Sequence, residues 1–152
     1  MQEAMKSVTA VGLAVLALGL CGCSGVESRV RAGQVPQVLD QRPVRGGFLE
    51  AIGIGASDPA LPTQTQRRAL ARDAAIVKAQ YELLSMVKGV SLDGGVTVSR
   101  ALETDSALSA KVHAAIAGAE IRKTEFTADN GCVVTLRLPK SRIEQLMGVR
   151  FQ

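Results

Sequence analysis

The longest regular pattern of apolar and polar positions lies in residues 63–87 and predicts one long helix. One row of small or apolar residues recurs at every fourth position: Ala71, Ala75, Ala79 and Leu83. A second apolar row runs beside the first: Leu70, Ala74, Val77, Tyr81 and Leu84. We expect the two rows to form one broad stripe that packs on a sheet, with Tyr81 in the core, because charged and amide side chains occupy most of the opposite face.

Shorter apolar runs on both sides of this helix predict the strands of that sheet. The first strand is residues 48–55, whose glycines allow the backbone to approach the helix closely. A second strand, residues 90–100, follows the helix and is bent at a pair of glycines. Residues 119–127 and 132–138 are predicted to form a hairpin, because the Asp-Asn-Gly sequence between them is typical of a tight turn.

Helix-capping signals complete the predicted order of elements. Thr63 or Thr65 caps the long helix. Thr104 or Asp105 caps a shorter helix over residues 106–117, and the proline after the last strand starts a short terminal helix. The predicted fold is α+β, with the element order β-α-β-α-β-β-α. It has a small mixed or antiparallel sheet of about four strands, packed on one long helix and one shorter helix.

The first residues carry the pattern of a bacterial secretion signal. Lys6 supplies a positive charge, and residues 8–20 are an uncharged apolar run that is too short to span a bilayer and typical of a signal peptide. The run ends in Leu-Cys-Gly-Cys, which resembles the lipobox of bacterial lipoproteins. We predict cleavage between Gly22 and Cys23, with acyl chains on the thiol and the new amine of Cys23. Cys21 is the poorer acceptor, because a leucine would then precede the cleaved bond.

This signal divides the chain into three parts. Residues 1–22 are the signal peptide, residues 23–47 are the acylated N terminus and a tether, and residues 48–152 are a single α+β domain. The tether is rich in proline and glycine and has no sustained apolar period, although part of it can lie along the domain. Ser24 after the acylated cysteine predicts sorting to the outer membrane, so the domain is expected to face the periplasm. Whether translation starts at the first or the second methionine stays open.

Charge and cysteine content exclude several classes of function. The net charge is +4, the aromatic fraction is 3%, and the basic residues are scattered, so a nucleic-acid partner is not expected. Of three cysteines, Cys21 leaves with the signal and Cys23 is acylated, which leaves Cys132 alone. Cys132 alternates with apolar residues on one face of the last strand, so we expect it to be buried. One histidine and one remaining cysteine are too few for a zinc site.

The sequence predicts neither catalysis nor a cofactor. Gly53 and Gly55 precede a helix as in a dinucleotide-binding fingerprint, but the third glycine is missing. His113 lies opposite the apolar face of its helix, without serine and carboxylate partners in a catalytic pattern. The acidic residues are interpreted as surface charges and helix caps: Asp73, Glu82, Asp93 and Asp105. We therefore predict that the protein is not an enzyme and has no catalytic residue, metal or cofactor.

Several short motifs follow one another in a fixed order between Ala51 and Pro139. They are Ala51-x-Gly53-x-Gly55-Ala56, an alanine-spaced helix from Arg68 to Leu84, Lys88-Gly89-Val90, Val96-Thr97-Val98, a Gly118-Ala119 corner and a final alternating hairpin that ends at Leu138-Pro139. In this order and spacing the chain resembles a family of small bacterial outer-membrane lipoproteins named after a twenty-kilodalton lipoprotein. That family is related to the flagellar P-type lipoproteins, which build rings or disks around the motor, and to flagellar assembly T-type proteins. The resemblance implies a binding or structural module.

Together, the lipobox and this resemblance predict a structural or assembly role in the cell envelope, most specifically as an accessory ring or disk component of the flagellar motor. The expected partners are the membrane, through the acyl chains, further copies of the chain, and other envelope or flagellar proteins. The alternative is a monomeric lipoprotein that binds an envelope polymer, a small ligand or another envelope protein. Self-assembly distinguishes the two.

Overall fold

Strands and helices form two layers in a computed structural model of the chain. The structure describes residues 28–36, 44–90, 97–148 and 150. Within these residues lie an antiparallel sheet of three full strands with a two-residue edge strand, and four helices. The predicted α+β class is confirmed, whereas the predicted order of elements is wrong after the long helix.

The strands of the sheet in the described part of the chain are β1 (Val44–Arg45), β2 (Phe48–Gly55), β3 (Glu120–Phe126) and β4 (Cys132–Pro139). They are antiparallel and lie in the order β1-β2-β4-β3. β4 pairs with β2 along its whole length, so that Gly55 lies opposite Cys132. On its other side it pairs with β3 through the predicted hairpin, with a shift in register between Ile121 and Lys123.

The helices are α1 (Gln64–Lys88), α2 (Val98–Thr104), α3 (Ser106–Ala117) and α4 (Lys140–Met147). α1 begins with a capping box, in which the Thr63 hydroxyl accepts from the Gln66 N–H and the Gln66 side chain accepts from the Thr63 N–H. Asp105 caps α3 by accepting from the N–H groups of Ala107 and Leu108. Both caps are among those that the sequence predicted.

The hydrophobic core lies between α1 and the inner face of the sheet. Buried positions on α1 recur at every fourth residue, as predicted, and pack with alternate residues of β2 and β4. The buried members from these elements are Ala71, Ala75, Ala79, Leu83, Val87, Leu49, Ala51, Cys132, Val134, Leu136 and Leu138. α3 and α4 add Val112, Ile116 and Ile143. Each large aliphatic side chain buried here stabilises the fold by about 1.5–3 kcal/mol.

Small residues let α1 lie directly on the backbone of β2. A Cβ atom placed on Gly53 would lie 1.9 Å from the carbonyl oxygen of Ala75, and one on Gly55 would lie 1.9 Å from that of Ala71. No side chain fits at these distances. The predicted close approach of strand and helix is therefore confirmed at both glycines.

The strand predicted over residues 90–100 is wrong in its C-terminal part. Residues 98–100 belong to α2, where Val98 and Leu102 lie one helical turn apart and are both buried. The prediction was based on a short alternation of apolar and polar residues around Val98. Val98 fits equally well into a helix, because Leu102 lies four positions later on the same helix face. Residues 91–96, with the predicted glycine bulge, lie outside the described residues.

Part of the predicted tether packs on the domain. Val44–Arg45 pair with β2, so the sheet begins before the predicted start of the domain. Further upstream, Arg31 and Gln34 form an isolated bridge, and the Ala128 N–H donates to the Gly33 carbonyl at 2.8 Å. These contacts order two sections of the tether against the domain, a point that the sequence left open.

Candidate interaction surfaces

A second apolar row on α1 points away from the sheet. Leu70, Val77 and Tyr81 are 47%, 65% and 64% exposed. Ala74, between them, is also exposed, and Leu84 is half-buried. These five residues are called the outer stripe.

The outer stripe shows that the prediction of a single broad apolar stripe is wrong. On a helix with 3.6 residues per turn, this row lies about 180° from the buried row of α1. The inner row meets the sheet, and the outer row meets solvent. Tyr81, which was expected in the core, belongs to the outer row. Because large apolar residues that share one exposed face mark interaction sites, α1 is a candidate docking surface.

The spacing within the outer stripe is that of a coiled-coil seam, because its members are separated by alternating steps of four and three residues. Charged residues flank the seam, with Asp73 on one side and Lys78 on the other. The Asp73 carboxylate oxygen Oδ1 lies 3.9 Å from the guanidinium nitrogen Nη1 of Arg72. Lys78 Nζ lies 2.9 Å from the Glu82 carboxylate and 5.1 Å from the centre of the Tyr81 ring. The hydrogen bond and charge of Glu82 raise the pKa of Lys78, which is therefore a cation at neutral pH.

The outer face of the sheet binds the N-terminal segment through Glu125. The Glu125 carboxylate accepts hydrogen bonds from the Ser28 hydroxyl, from the Arg29 N–H at 2.8 Å and from the Val30 N–H at 3.5 Å. Lys123 Nζ lies 3.5 Å from the same carboxylate. This one side chain therefore ties the start of the described chain to β3.

The Glu125 carboxylate is held in its charged form. Burial alone would raise the pKa of Glu125, but the hydrogen bonds from Ser28 and Arg29 and the charge of Lys123 outweigh it and hold this pKa below its usual value. A carboxyl group whose pKa is lowered in the folded state stabilises the contact at pH values above the ordinary glutamate pKa. That stabilisation is lost as the pH falls through the lowered value.

The centre of the same sheet face is apolar and shielded from water. Ile52 lies opposite Thr135 and Ile54 opposite Val133 in the ladder of β2 and β4. Ile52, Val133 and Thr135 are buried, whereas Ile54 is exposed. The Thr135 hydroxyl has no hydrogen-bond partner among the described residues. An unpartnered buried hydroxyl costs about 1–3 kcal/mol.

The turn between β3 and β4 binds the start of α1. Asn130, at a φ of 66°, accepts from Gln64 Nε2 at 3.0 Å and from Arg68 Nε at 3.2 Å. The predicted turn is confirmed, and its asparagine has a positive φ. Because Ala128 in this turn binds Gly33, the N-terminal segment reaches the same end of the molecule as the start of α1.

A basic cleft lies between α3 and α4. Its volume is about 440 Å³, and its lining residues are Lys111, Ala114, Ala115, Arg142, Gln145 and Leu146. Neither Lys111 nor Arg142 forms an ion pair with another described residue. Two cations above apolar walls suit an anionic ligand, and the volume falls within the range of small-molecule sites.

The structure describes five of the residues that were considered as possible sites in the sequence. Cys132 is buried and free, as expected, and burial raises the pKa of its thiol. His113 is exposed, also as expected. Asp105 is a helix cap, and Asp73 and Glu82 lie on α1 in ion pairs.

The predicted lipidation and cleavage residues, Cys23 and Gly22, lie outside the described residues, as does Asp93. Lipidation therefore stays a prediction. In the described part of the chain, no three His, Cys, Asp or Glu side chains cluster so that they could hold a metal ion. None of the described helices combines the length and the apolarity needed to cross a membrane.

Sequence reasoning missed Glu125 and Arg142 as candidate binding residues. Glu125 binds Arg29, which lies 96 positions earlier, so no local pattern announces the contact. Arg142 gains its position from the packing of α4 beside α3. The outer stripe did have a signal, because its heptad spacing is visible in the sequence.

Comparisons of this chain with protein-family models, with curated proteins and with solved structures find no match. The resemblance of the sequence motifs to outer-membrane lipoproteins therefore stays a prediction.

Proposed function

We propose that this chain is an outer-membrane-anchored lipoprotein that faces the periplasm and has a structural or assembly role in the cell envelope. The observation that carries the assembly role is the outer stripe, an exposed apolar seam on a 25-residue helix, opposite its sheet-facing side. A seam with this spacing is typical of a helix that pairs with another helix. The lipobox around Cys23 supports the anchored location.

The anchor and the stripe act together in this proposal. Acyl chains on the thiol and the amine of Cys23 attach the protein stably, whereas a single chain binds membranes only marginally. Attachment confines the copies to a surface and raises their local concentration. A lateral contact of modest size on α1 is then sufficient for assembly.

The most specific form of the proposal is an accessory ring or disk component of the flagellar motor, supported by the resemblance of the motifs between Ala51 and Pro139. A symmetric contact through one surface closes at two copies, so a ring requires a second contact. The free edge of β3 is a candidate for it, because no strand pairs with that edge among the described residues.

Swimming in soft agar tests the flagellar form. A strain that lacks the gene is complemented either with the wild type or with Cys23→Ala. We expect the wild type, but not Cys23→Ala, to restore motility, because the unacylated variant is not confined to the membrane. Loss of radiolabelled palmitate from Cys23→Ala, with equal protein abundance, serves as the control. Normal motility of the deletion strain in a flagellated host would refute the flagellar role and leave the envelope role standing.

The basic cleft between α3 and α4 favours a second candidate, a monomeric lipoprotein that binds an anionic polymer or small ligand of the envelope. Calorimetric titration with a soluble anionic glycan tests it, with Lys111→Ala/Arg142→Ala as the variant. This candidate predicts that the wild type is a monomer and that the variant binds at least about tenfold more weakly, since each charged contact contributes about 1.5–3 kcal/mol. The absence of binding by the wild type would count against it.

A further inference from the structure

The outer stripe also indicates which partner binds to it and how the partner's helix is oriented. We propose that two copies of this chain pair through α1 in parallel, with Asp73 of each copy beside Lys78 of the other. This inference rests on the proposed self-assembly and adds its geometry.

The seam is complementary to itself. In a parallel two-stranded coil, each seam residue faces its own counterpart on the other helix. The outer stripe then buries four or five apolar layers, from Leu70 to Leu84, over roughly 21 Å of helix at 1.5 Å per residue. Ala74, the second residue of the seam, lets the two backbones approach, and the half-buried Leu84 joins the seam to the core of its own domain.

The charges beside the seam select the parallel orientation. Asp73 and Lys78 lie on opposite sides of the stripe and five positions apart. In a parallel coil, flanking residues five positions apart on opposite sides of the seam meet between the two helices, so the Asp73–Lys78 ion pair forms twice. The next flanking pair, Gln80 and Ser85, is uncharged and adds no repulsion. Lys78 can keep its 2.9 Å contact with Glu82, which lies on the same side of its own helix.

The antiparallel arrangement lacks this match. Full overlap of two antiparallel stripes brings Lys78 beside Lys78 of the second copy. It also places Leu70 opposite Lys88, so one apolar layer is lost at each end.

The position of the N-terminal segment favours the same orientation. This segment reaches the end of the molecule where α1 starts, because Gly33 binds Ala128 and the adjacent Asn130 binds Gln64. In a parallel pair, both segments lie at one end and both anchors reach the same membrane surface. In an antiparallel pair, the two segments lie at opposite ends, and one of them points away from the membrane.

Cysteine cross-linking of the full-length protein in membranes tests the orientation. Ala74→Cys faces its own counterpart in a parallel pair but faces Leu84 in an antiparallel pair. We expect Ala74→Cys alone to form a disulfide-linked dimer under mild oxidation, about tenfold above the wild type, because the two thiols lie within reach of each other. Ala110→Cys, at an exposed position of α3 outside both the seam and the basic cleft, is the matched control and should stay at the wild-type level.

Charge reversal tests the ion pair independently. Asp73→Lys and Lys78→Asp each place like charges beside the seam twice, so we expect each variant to dimerise about tenfold more weakly in a two-dimensional energy-transfer assay in vesicles. Mixing the two variants restores the opposite charges and should restore energy transfer between them. Arg100→Glu, at an exposed position of α2, has the same change in net charge as Lys78→Asp and should leave dimerisation unchanged.

The outcomes separate this inference from the proposed function. A protein that stays monomeric in membranes at high density would refute the assembly role itself. Oligomers that respond to neither charge reversal and give no Ala74→Cys cross-link would refute parallel pairing and leave assembly standing. A cross-link that forms only when Ala74→Cys is mixed with Leu84→Cys would show the antiparallel orientation instead.

Discussion

The layer between α1 and the sheet differs from the outward faces of the same elements in how closely the chain packs. Inside, a single added carbon on Gly53 would collide with the backbone of α1 at 1.9 Å. Outside, the side chain of Val77 on the same helix is 65% exposed. One helix thus has two apolar faces with opposite surroundings.

The difference shows which face the fold requires. Burial of the inner row, with Ala75 at its centre, accounts for the attachment of α1 to the sheet. The outer row adds nothing comparable to the stability of a monomer, because exposed apolar residues remain in contact with water. Its regular spacing therefore needs another explanation, and pairing with a second helix supplies one.

Gly53→Ala should have the largest effect, because it disrupts the closest packing of the inner layer. The new methyl group lies 1.9 Å from a carbonyl oxygen and 2.5 Å from a backbone nitrogen of α1, so the helix must move. We expect the free energy of unfolding, measured by urea denaturation, to fall by about 3 kcal/mol or more. This loss is at or above the upper end of the range for substitutions that overpack a core.

Gly89→Ala is the matched control. Gly89 has a φ of −75°, and a Cβ there would make ordinary contacts at 3.6 Å. We expect its stability to change by less than about 0.5 kcal/mol. An equal loss in both variants would mean that the close contact of Gly53 with α1 is not the cause of the loss.

Leu83→Ala and Val77→Ala compare the inner and outer faces directly. Leu83 is fully buried, so its truncation should cost about 3 kcal/mol in unfolding free energy. Val77→Ala should cost less than about 0.5 kcal/mol and instead weaken self-association in membranes. Urea denaturation and energy transfer in vesicles measure the two effects separately. If Val77→Ala destabilised the monomer as strongly as Leu83→Ala, the outer stripe would have an intramolecular role.

The inner layer could be predicted from the sequence because its signals are local. The fourfold spacing of Ala71 through Leu83, the glycines of the first strand and the Thr63 cap each specify structure within a few residues. The hairpin could be predicted for the same reason, since the Asn130-Gly131 pair specifies the turn. These elements are confirmed nearly to the residue.

The outer surfaces were harder to predict because their partners are distant in the chain. Both rows of α1 are apolar, and periodicity alone does not say which row meets the sheet. The contact of Glu125 with Arg29 depends on the path of the N-terminal segment. The short alternation around Val98 was equally compatible with a strand and with a helix, and tertiary packing with α1 and α3 favours the helix.

Glu125→Gln tests whether the outer face of the sheet holds the N-terminal segment through charge. The amide keeps the shape but loses the charge that strengthens the hydrogen bonds from Ser28 and Arg29. We expect trypsin cleavage after Arg31 in the native protein to become about tenfold faster, which corresponds to about 1.4 kcal/mol. Glu120→Gln, on the same strand, should leave the rate unchanged.

The pH dependence of the same contact provides an independent measurement. The amide resonance of Arg29 in the wild type should titrate with a midpoint below the ordinary glutamate value of 4.5, because the hydrogen bonds and Lys123 lower the pKa of Glu125. The segment should therefore stay bound at neutral pH and be released in acid. A midpoint at or above the ordinary value would show that the carboxylate is not stabilised by these groups.

Thr135→Val should have the smallest effect on stability, and it should stabilise the protein whereas the preceding variants destabilise it. This variant tests whether the centre of the outer sheet face is as dry as the interior. The Thr135 hydroxyl is buried and has no partner in the part of the chain that the structure describes, so replacing it with a methyl group of similar size should raise the unfolding free energy by about 1 kcal/mol. Thr127→Val is the matched control, because the buried Thr127 hydroxyl donates to Asp129 and its loss should destabilise by about 1–2 kcal/mol. Urea denaturation of both variants measures the difference. Destabilisation by Thr135→Val would mean that its hydroxyl is hydrogen-bonded in solution, and the centre of this face would then resemble the wet exterior and not the layer beneath α1.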